Sequence, residues 1–140
     1  MILNVLSPEK ILFEKLQVNS VILPGAEGII ELLEGHAEML GTLNTGIVKF
    51  NKTENSEDTL IAVSTGFFKV KQNEEGLDEI TIMAETAETS DEIDLIRAQK
   101  AQKKAEIVLS DGNSDPDHFN KHQLKLQRAL IRQQVATRSF

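Results

Sequence analysis

Two histidines four residues apart, His118 and His122, are the first residues in the chain whose spacing suits chemistry. On a helix they would project from one face, the arrangement in which paired imidazoles hold a metal ion. A working site needs three or four convergent ligands and an orienting shell around them, and no third ligand is visible nearby. The expectation is therefore no metal. A second cluster is acidic, with Glu31, Glu34 and Glu38 around His36. Carboxylates act as general acids when burial perturbs their pKa, and so charged a segment reads instead as an exposed loop. No serine has the setting of a nucleophilic triad, and no glycine-rich phosphate loop of either standard kind is present. The chain has no cysteine, which removes thiol catalysis, disulfides and cysteine-based metal sites. A noncatalytic protein without catalytic residues is expected.

The remaining pattern with chemical content is basic. Lys121, Lys125, Arg128 and Arg132 are spaced by four, three and four, which places them near one helical face. A solvated polar face is one reading. A stripe that docks on an acidic surface or a polyphosphate is the other, because guanidinium forks pair bidentately with either. Residues 118–140 hold five basic residues and no acid. A helix that is only kept soluble usually mixes both signs, which favours docking. Nucleic acid is not the expected partner. Residues 1–90 set fifteen acidic residues against six basic ones, the chain as a whole carries −7, and it has no Trp or Tyr on which bases could stack.

The elements that must position these residues fall into two kinds. Leu16, Val18, Ser20 and Ile22 alternate with polar neighbours as in a half-buried strand, with a turn expected at Pro24-Gly25. Further strands are expected over 28–33, 46–50, 59–63, 67–71 and 79–83, separated by stretches rich in Asn and Gly. Short strands at such intervals make a sandwich or barrel. After them Thr89 stands three residues before Glu92, the capping-box spacing, so a helix is expected over 91–109, ending near Asp111-Gly112. Its inward stripe is Ala98, Ala101, Ala105 and Val108. Asp115-Pro116 supplies a cap and a first-turn proline for a second helix over 116–136, with an apolar stripe of Phe119, Leu126 and Leu130 flanked by Leu124, Ile131 and Val135. The fold class expected is mostly β plus α: a β-sandwich over 1–88, then an antiparallel two-helix hairpin over 89–140. An alanine-rich stripe buries little apolar area, so the hairpin should be held weakly. No apolar run approaches the ~20 residues that span a bilayer, and the opening residues look like neither a signal nor a transit peptide, so a cytosolic location is expected.

These residues carry a resemblance to the epsilon subunit of the bacterial F-type ATP synthase. Leu6-Ser7-Pro8 followed by Leu12-Phe13 is similar to the family's opening strand, and Gly25-Ala26-Glu27-Gly28 with Gly35-His36-Ala37 and Leu40 to its Gly-x-Glu-Gly and Gly-His-Ala segments. Gly66-Phe67 with Val70 resembles its Gly-Gly-Phe strand, and Ala84-Glu85-Thr86-Ala87-Glu88 leading into Ile93-Asp94-Leu95-Ile96-Arg97-Ala98 its β-to-α junction. The chain departs from the pattern at Ile29, Glu31, Glu34, Glu38 and Thr65.

The resemblance implies a noncatalytic rotor subunit of the central stalk. Its sandwich would bind the gamma subunit and the c-ring, with Glu27, Gly28 and His36 at the rotor contact. Its helices would inhibit ATP hydrolysis in the α/β catalytic head through the basic face of Lys121, Lys125, Arg128 and Arg132. Peripheral attachment at the cytoplasmic face of the bacterial inner membrane, without insertion, is implied too. The family's ATP-binding motif would correspond to Glu88, Ile93, Asp94, Arg97 and Ala98 with Arg128 and Arg132, making ATP a regulatory ligand. Taken on their own chemistry, Asp94 is equally a first-turn acid on a helix dipole and the arginines surface charges. A free-standing ATP-sensing adaptor of the same shape is the alternative function.

Overall fold

The computed structural model describes residues 1–112 and 115–138. The chain divides into two compact units, Met1–Glu88 and Thr89–Phe140. The first is a sandwich built from one continuous sheet of ten strands: β1 Ile2–Leu6, β2 Ile11–Gln17, β3 Ser20–Gly25, β4 Gly28–Leu32, β5 Met39–Leu43, β6 Gly46–Asn51, β7 Thr59–Val63, β8 Gly66–Gln72, β9 Asp78–Ala84 and β10 Ala87–Thr89. Their order is β10-β7-β6-β3-β5-β8-β9-β1-β2, with β4 added beside β3. β1 runs parallel to β9 and antiparallel to β2. Alternation turns one side chain in two inward, and Val21, Leu23, Leu43, Val48, Phe50, Phe68, Val70, Ile80 and Ile82 meet in the core. Phe13 meets Phe50 edge to face at 5.4 Å.

Three sequence expectations change here. The single strand over Leu16 to Ile22 is two strands broken after Gln17, and the buried residues are Val18, Val21 and Leu23 while Ser20 and Ile22 are half-buried. A break that shifts the pleat by one residue exchanges the two faces. The turn lies at Ala26-Glu27 instead of Pro24-Gly25. Pro24 stays within β3 opposite Ile29, and Gly28 takes up the positive φ of +136°. β1 was hidden from periodicity because Leu3, Asn4 and Val5 are all buried, which erases alternation. Asn4 is satisfied there: its amide donates to Glu79 Oε1 at 2.9 Å and its oxygen accepts the Lys15 N–H at 2.8 Å.

The second unit holds α1, Leu95–Ser110, and α2, Pro116–Thr137. The expected capping box of Thr89 and Glu92 forms, yet it closes only a 3₁₀ turn over Ser90–Glu92. Ile93 is extended and buried, and α1 begins afresh with Asp94 as its cap, Oδ1 accepting the Arg97 N–H at 3.0 Å. Two caps compete within six residues, and the buried Ile93 between them keeps the turns from merging. At the far end Asp111 caps α1 and Gly112 has φ +81°, as glycine after a helix allows. Asp115 accepts the Asp117 N–H at 3.1 Å and Pro116 opens α2, as expected.

Gln133 donates to Gln102 at 2.7 Å, tying the antiparallel helices across their seam. The α1 seam is the expected one, with Ala98 and Ala105 buried and Ala101 and Val108 half-buried. The α2 stripe differs in part. Val135 is buried and Leu126 and Ile131 are half-buried, as expected, but Phe119, Leu124 and Leu130 are exposed, and Ala129 is buried with His122, Gln133 and Ala136 half-buried. Small residues let helix axes approach closely, which leaves several of the large ones outside.

Gly66 shows why the β8–β9 pairing tolerates no side chain at that point. A Cβ there would collide with the Met83 carbonyl oxygen and stand 2.8 Å from Ala84 Cα, both backbone atoms that cannot swing away. Gly66→Ala is expected to lower unfolding free energy by about 3 kcal/mol, an overpacking effect, measured as a shifted urea midpoint at unchanged slope.

Candidate functional site

On the first unit, the expected rotor-contact residues occupy two places. Glu27 lies in the exposed β3–β4 turn and Gly28 opens β4, while His36 lies in the loop beyond the opposite end of β4. Five residues of strand separate them by roughly 16 Å, so they do not make one cluster. In the loop, the His36 N–H donates to the Leu33 carbonyl at 3.2 Å, Gly35 has φ +86°, and the Gly35 N–H donates to the buried Asp78 carboxylate at 2.5 Å. His36 Nδ1 lies 2.7 Å from the Ala37 carbonyl. Glu31, Glu34 and Glu38 are exposed; Glu34 and Glu38 lie in the loop as expected, whereas Glu31 lies within β4 opposite Ile22.

Sequence reasoning missed a larger feature of the same unit. Register aligns Leu6 with both Ile11 and Met83, and Met83 with Phe67, so these four form one outward row across β2, β1, β9 and β8. Ile11 is 60% exposed, Phe67 57% and Met83 39%. A shallow cavity of about 450 Å³ lies along the row, lined by Leu6, Pro8, Phe67 and Met83 among others. The available signal was the apolar Phe67 and Met83 at outward positions next to the inward Phe68 and Ile82. It becomes an observation about a patch only once cross-strand register is known.

On the second unit, Asp94 is engaged as the α1 cap, Ile93 and Ala98 are buried, and Arg97 is exposed. Lys121 and Lys125 are exposed, and Arg128 and Arg132 half-buried. Because Gln102 is level with Gln133, the start of α1 faces the last turn of α2 near Thr137. Arg132 then lies roughly 8 Å further along the axis and Arg128 about one turn beyond it. The arginines are on the hairpin with the motif but not beside it. Glu88 lies at the end of the first unit, in β10.

His118 and His122 do come together, with ring centroids 4.5 Å apart and planes tilted by 55°. Among the described residues no group of three histidine or acidic side chains is placed to hold a metal, and no helix is long and apolar enough to cross a membrane. His122 has its pKa held below the usual 6.5, first by partial loss of water and then by the positive charge His118, Lys125 and Lys121 can carry, with Asp111 opposing.

Sandwich and alanine-seamed hairpin together define a two-unit chain, a β-sandwich followed by a pair of long helices. The family description "ATP synthase, Delta/Epsilon chain, beta-sandwich domain" matches residues 1–90, and "ATP synthase, Delta/Epsilon chain, long alpha-helix domain" matches residues 91–137. The ATP synthase epsilon chain of Geotalea daltonii is 37% identical over 131 residues, covering 94% of this chain and 88% of the relative. A chain in the Euglena gracilis mitochondrial ATP synthase (OSCP/F1/c-ring) superposes with a TM-score of 0.76 at 21% identity, covering 94% of this chain and 78% of that one. One in the central stalk/c-ring of Tetrahymena thermophila mitochondrial ATP synthase gives 0.56 at 14% identity, covering 97% and 96%. The chain belongs to the delta/epsilon chain family of the ATP synthase.

A lowered histidine pKa makes the helical unit acid-sensitive. The folded state prefers neutral His122, so its contribution is complete above the unfolded value of 6.5 and is lost as pH falls through the lower folded value. The helical circular-dichroism melt of the chain is expected to move to lower temperature between pH 7.5 and 5, and His122→Gln to flatten that dependence.

Proposed function

We propose that the chain is a noncatalytic rotor subunit of the central stalk, transmitting proton-driven rotation to the α/β catalytic head and restraining ATP hydrolysis through its helices. The exposed row of Ile11, Leu6, Met83 and Phe67 carries this reading. A protein that worked alone would leave so continuous an apolar strip exposed to water, whereas a subunit clamped to a shaft covers it. On this reading the gamma subunit covers the row, and the c-ring meets the loops bearing Glu27, Gly28 and His36. The family membership and the central-stalk origin of the Tetrahymena chain support it. The subunit would sit peripherally at the cytoplasmic face of the membrane.

ATP enters as a regulatory ligand of the hairpin. The Asp94 carboxylate already serves the Arg97 N–H, so a nucleotide would be held by Arg97 and what Asp94 has left, with its phosphates extending toward Arg132. A free-standing ATP-sensing adaptor would leave the apolar row without a purpose.

Phe67→Glu places a charge at the β8 end of the row without touching the core. It is expected to weaken capture of purified gamma by at least about 30-fold, the loss typical of a large apolar anchor, with the melting temperature nearly unchanged. Full-strength capture would remove the row from the interface.

The inhibitory role rests on the basic face. Replacing Lys121, Lys125, Arg128 and Arg132 by Ala keeps helix propensity and removes four charges. Hydrolysis by the reconstituted complex is expected to rise to the rate seen with the chain truncated after Ser90. An unchanged rate beside an inhibitory wild type would make the charges a solvated face.

A further inference from the structure

Asp78 is 7% exposed and is the first residue of β9, opposite Gln72 in the last rung of the β8–β9 hairpin. A carboxylate this far from water needs a partner. Among the described residues the partner lies 43 residues away in sequence: Oδ2 accepts the Gly35 N–H at 2.5 Å. The geometry of the receiving turn explains the choice. The His36 N–H closes the turn onto the Leu33 carbonyl at 3.2 Å, leaving the Gly35 N–H with no partner inside the turn, and φ of +86° at Gly35 is a value that glycine adopts freely. A second and weaker tie joins the same two segments, the Gln72 N–H donating to Glu38 Oε1 at 3.4 Å near the surface. Both ties end on the Gln72–Asp78 rung. Beyond it, Asn73 stiffens the hairpin connection by accepting the N–H groups of Glu75 and Leu77, each at 3.0 Å.

We propose that Asp78 is a positioning residue for docking: its buried carboxylate clamps the 33–38 loop to the β8–β9 hairpin, so that His36 and the exposed Leu33 and Leu40 on either side of it present a preformed face to the c-ring. This rests on the rotor reading above. A loop of this length would otherwise sample many conformations, and ordering it on contact would subtract from the binding free energy. A charge-assisted hydrogen bond from a rigid strand end meets that ordering in advance. Asp78 touches no partner on this account; it acts through Gly35.

The chain has no cysteine, so a single Ala37→Cys carrying a photo-crosslinker reports the loop cleanly. In the reconstituted complex it is expected to label the c subunit. Adding Asp78→Ala should reduce that yield at least fivefold, and Asp78→Asn, which keeps an acceptor oxygen, should restore most of it. In the isolated full-length chain, Asp78→Ala should speed hydrogen exchange at Gly35 at least tenfold while β1 and β3 amides stay protected. Labelling by the wild type that Asp78→Ala leaves unchanged, or exchange at Gly35 that Asp78→Ala does not speed, overturns the positioning role alone. A wild type that never labels the c subunit overturns the rotor contact and the positioning role together.

Discussion

The parallel pairing of β1 with β9 is the constraint on which the first unit depends. It joins the first residues of the chain to residues almost eighty positions later, Ile2 opposite Glu79 through Leu6 opposite Met83, and inserts β1 between β9 and β2. The loop-closure entropy is repaid by full burial of Leu3 and Val5 and by the Asn4 amide, which bridges Glu79 and Lys15. Register along this rung sets what the outside of the protein shows. Were β1 displaced by one residue, Leu6 would no longer align with Met83, and the outward row from Ile11 to Phe67 would be broken. The same strand β9 begins with Asp78, so the pairing that builds the apolar row also anchors the base that holds the 33–38 loop.

The two units are stabilised by different means. The sandwich buries Phe50, Phe68 and a set of Leu, Ile and Val side chains, each worth about 1.5–3 kcal/mol of transfer free energy when fully buried. The helices meet through alanines, where the corresponding gain is far smaller, and through a glutamine pair at 2.7 Å. Larger apolar residues on both helices, Ile96, Ile107, Phe119, Leu124 and Leu130, remain exposed. A unit with a thin seam and unused apolar surface has little to lose on repacking, which is the property the proposed regulatory role requires.

Side-chain identity alone predicted whatever depends on near neighbours in sequence. The helix stop at Asp111-Gly112, the start at Asp115-Pro116, the alanine seam of α1, strand β7 and the split between strands and helices were all legible, because caps, turns and periodicity act within a few residues. The absence of cysteine and the scarcity of aromatic residues excluded whole classes of chemistry without any geometry. The co-linear motifs from Leu6 to Ala98 were enough to indicate the family. Local signals failed where two of them competed, as at Thr89 and Asp94, and where a strand was buried on both faces, as at β1.

Only the tertiary structure decided which residues share a surface. Ile11, Leu6, Met83 and Phe67 span more than seventy positions and become one row through hydrogen-bond register. Asp78 finds Gly35 across 43 residues, and neither carries a signal that points to the other. The inward face of α2 was set by the close approach that alanines permit, so His122, Ala129 and Gln133 face the seam while Phe119 and Leu130 face water. Composition and spacing determine elements because those forces are local; surfaces belong to the pairing of distant segments, and that pairing is chosen by the packing of the whole.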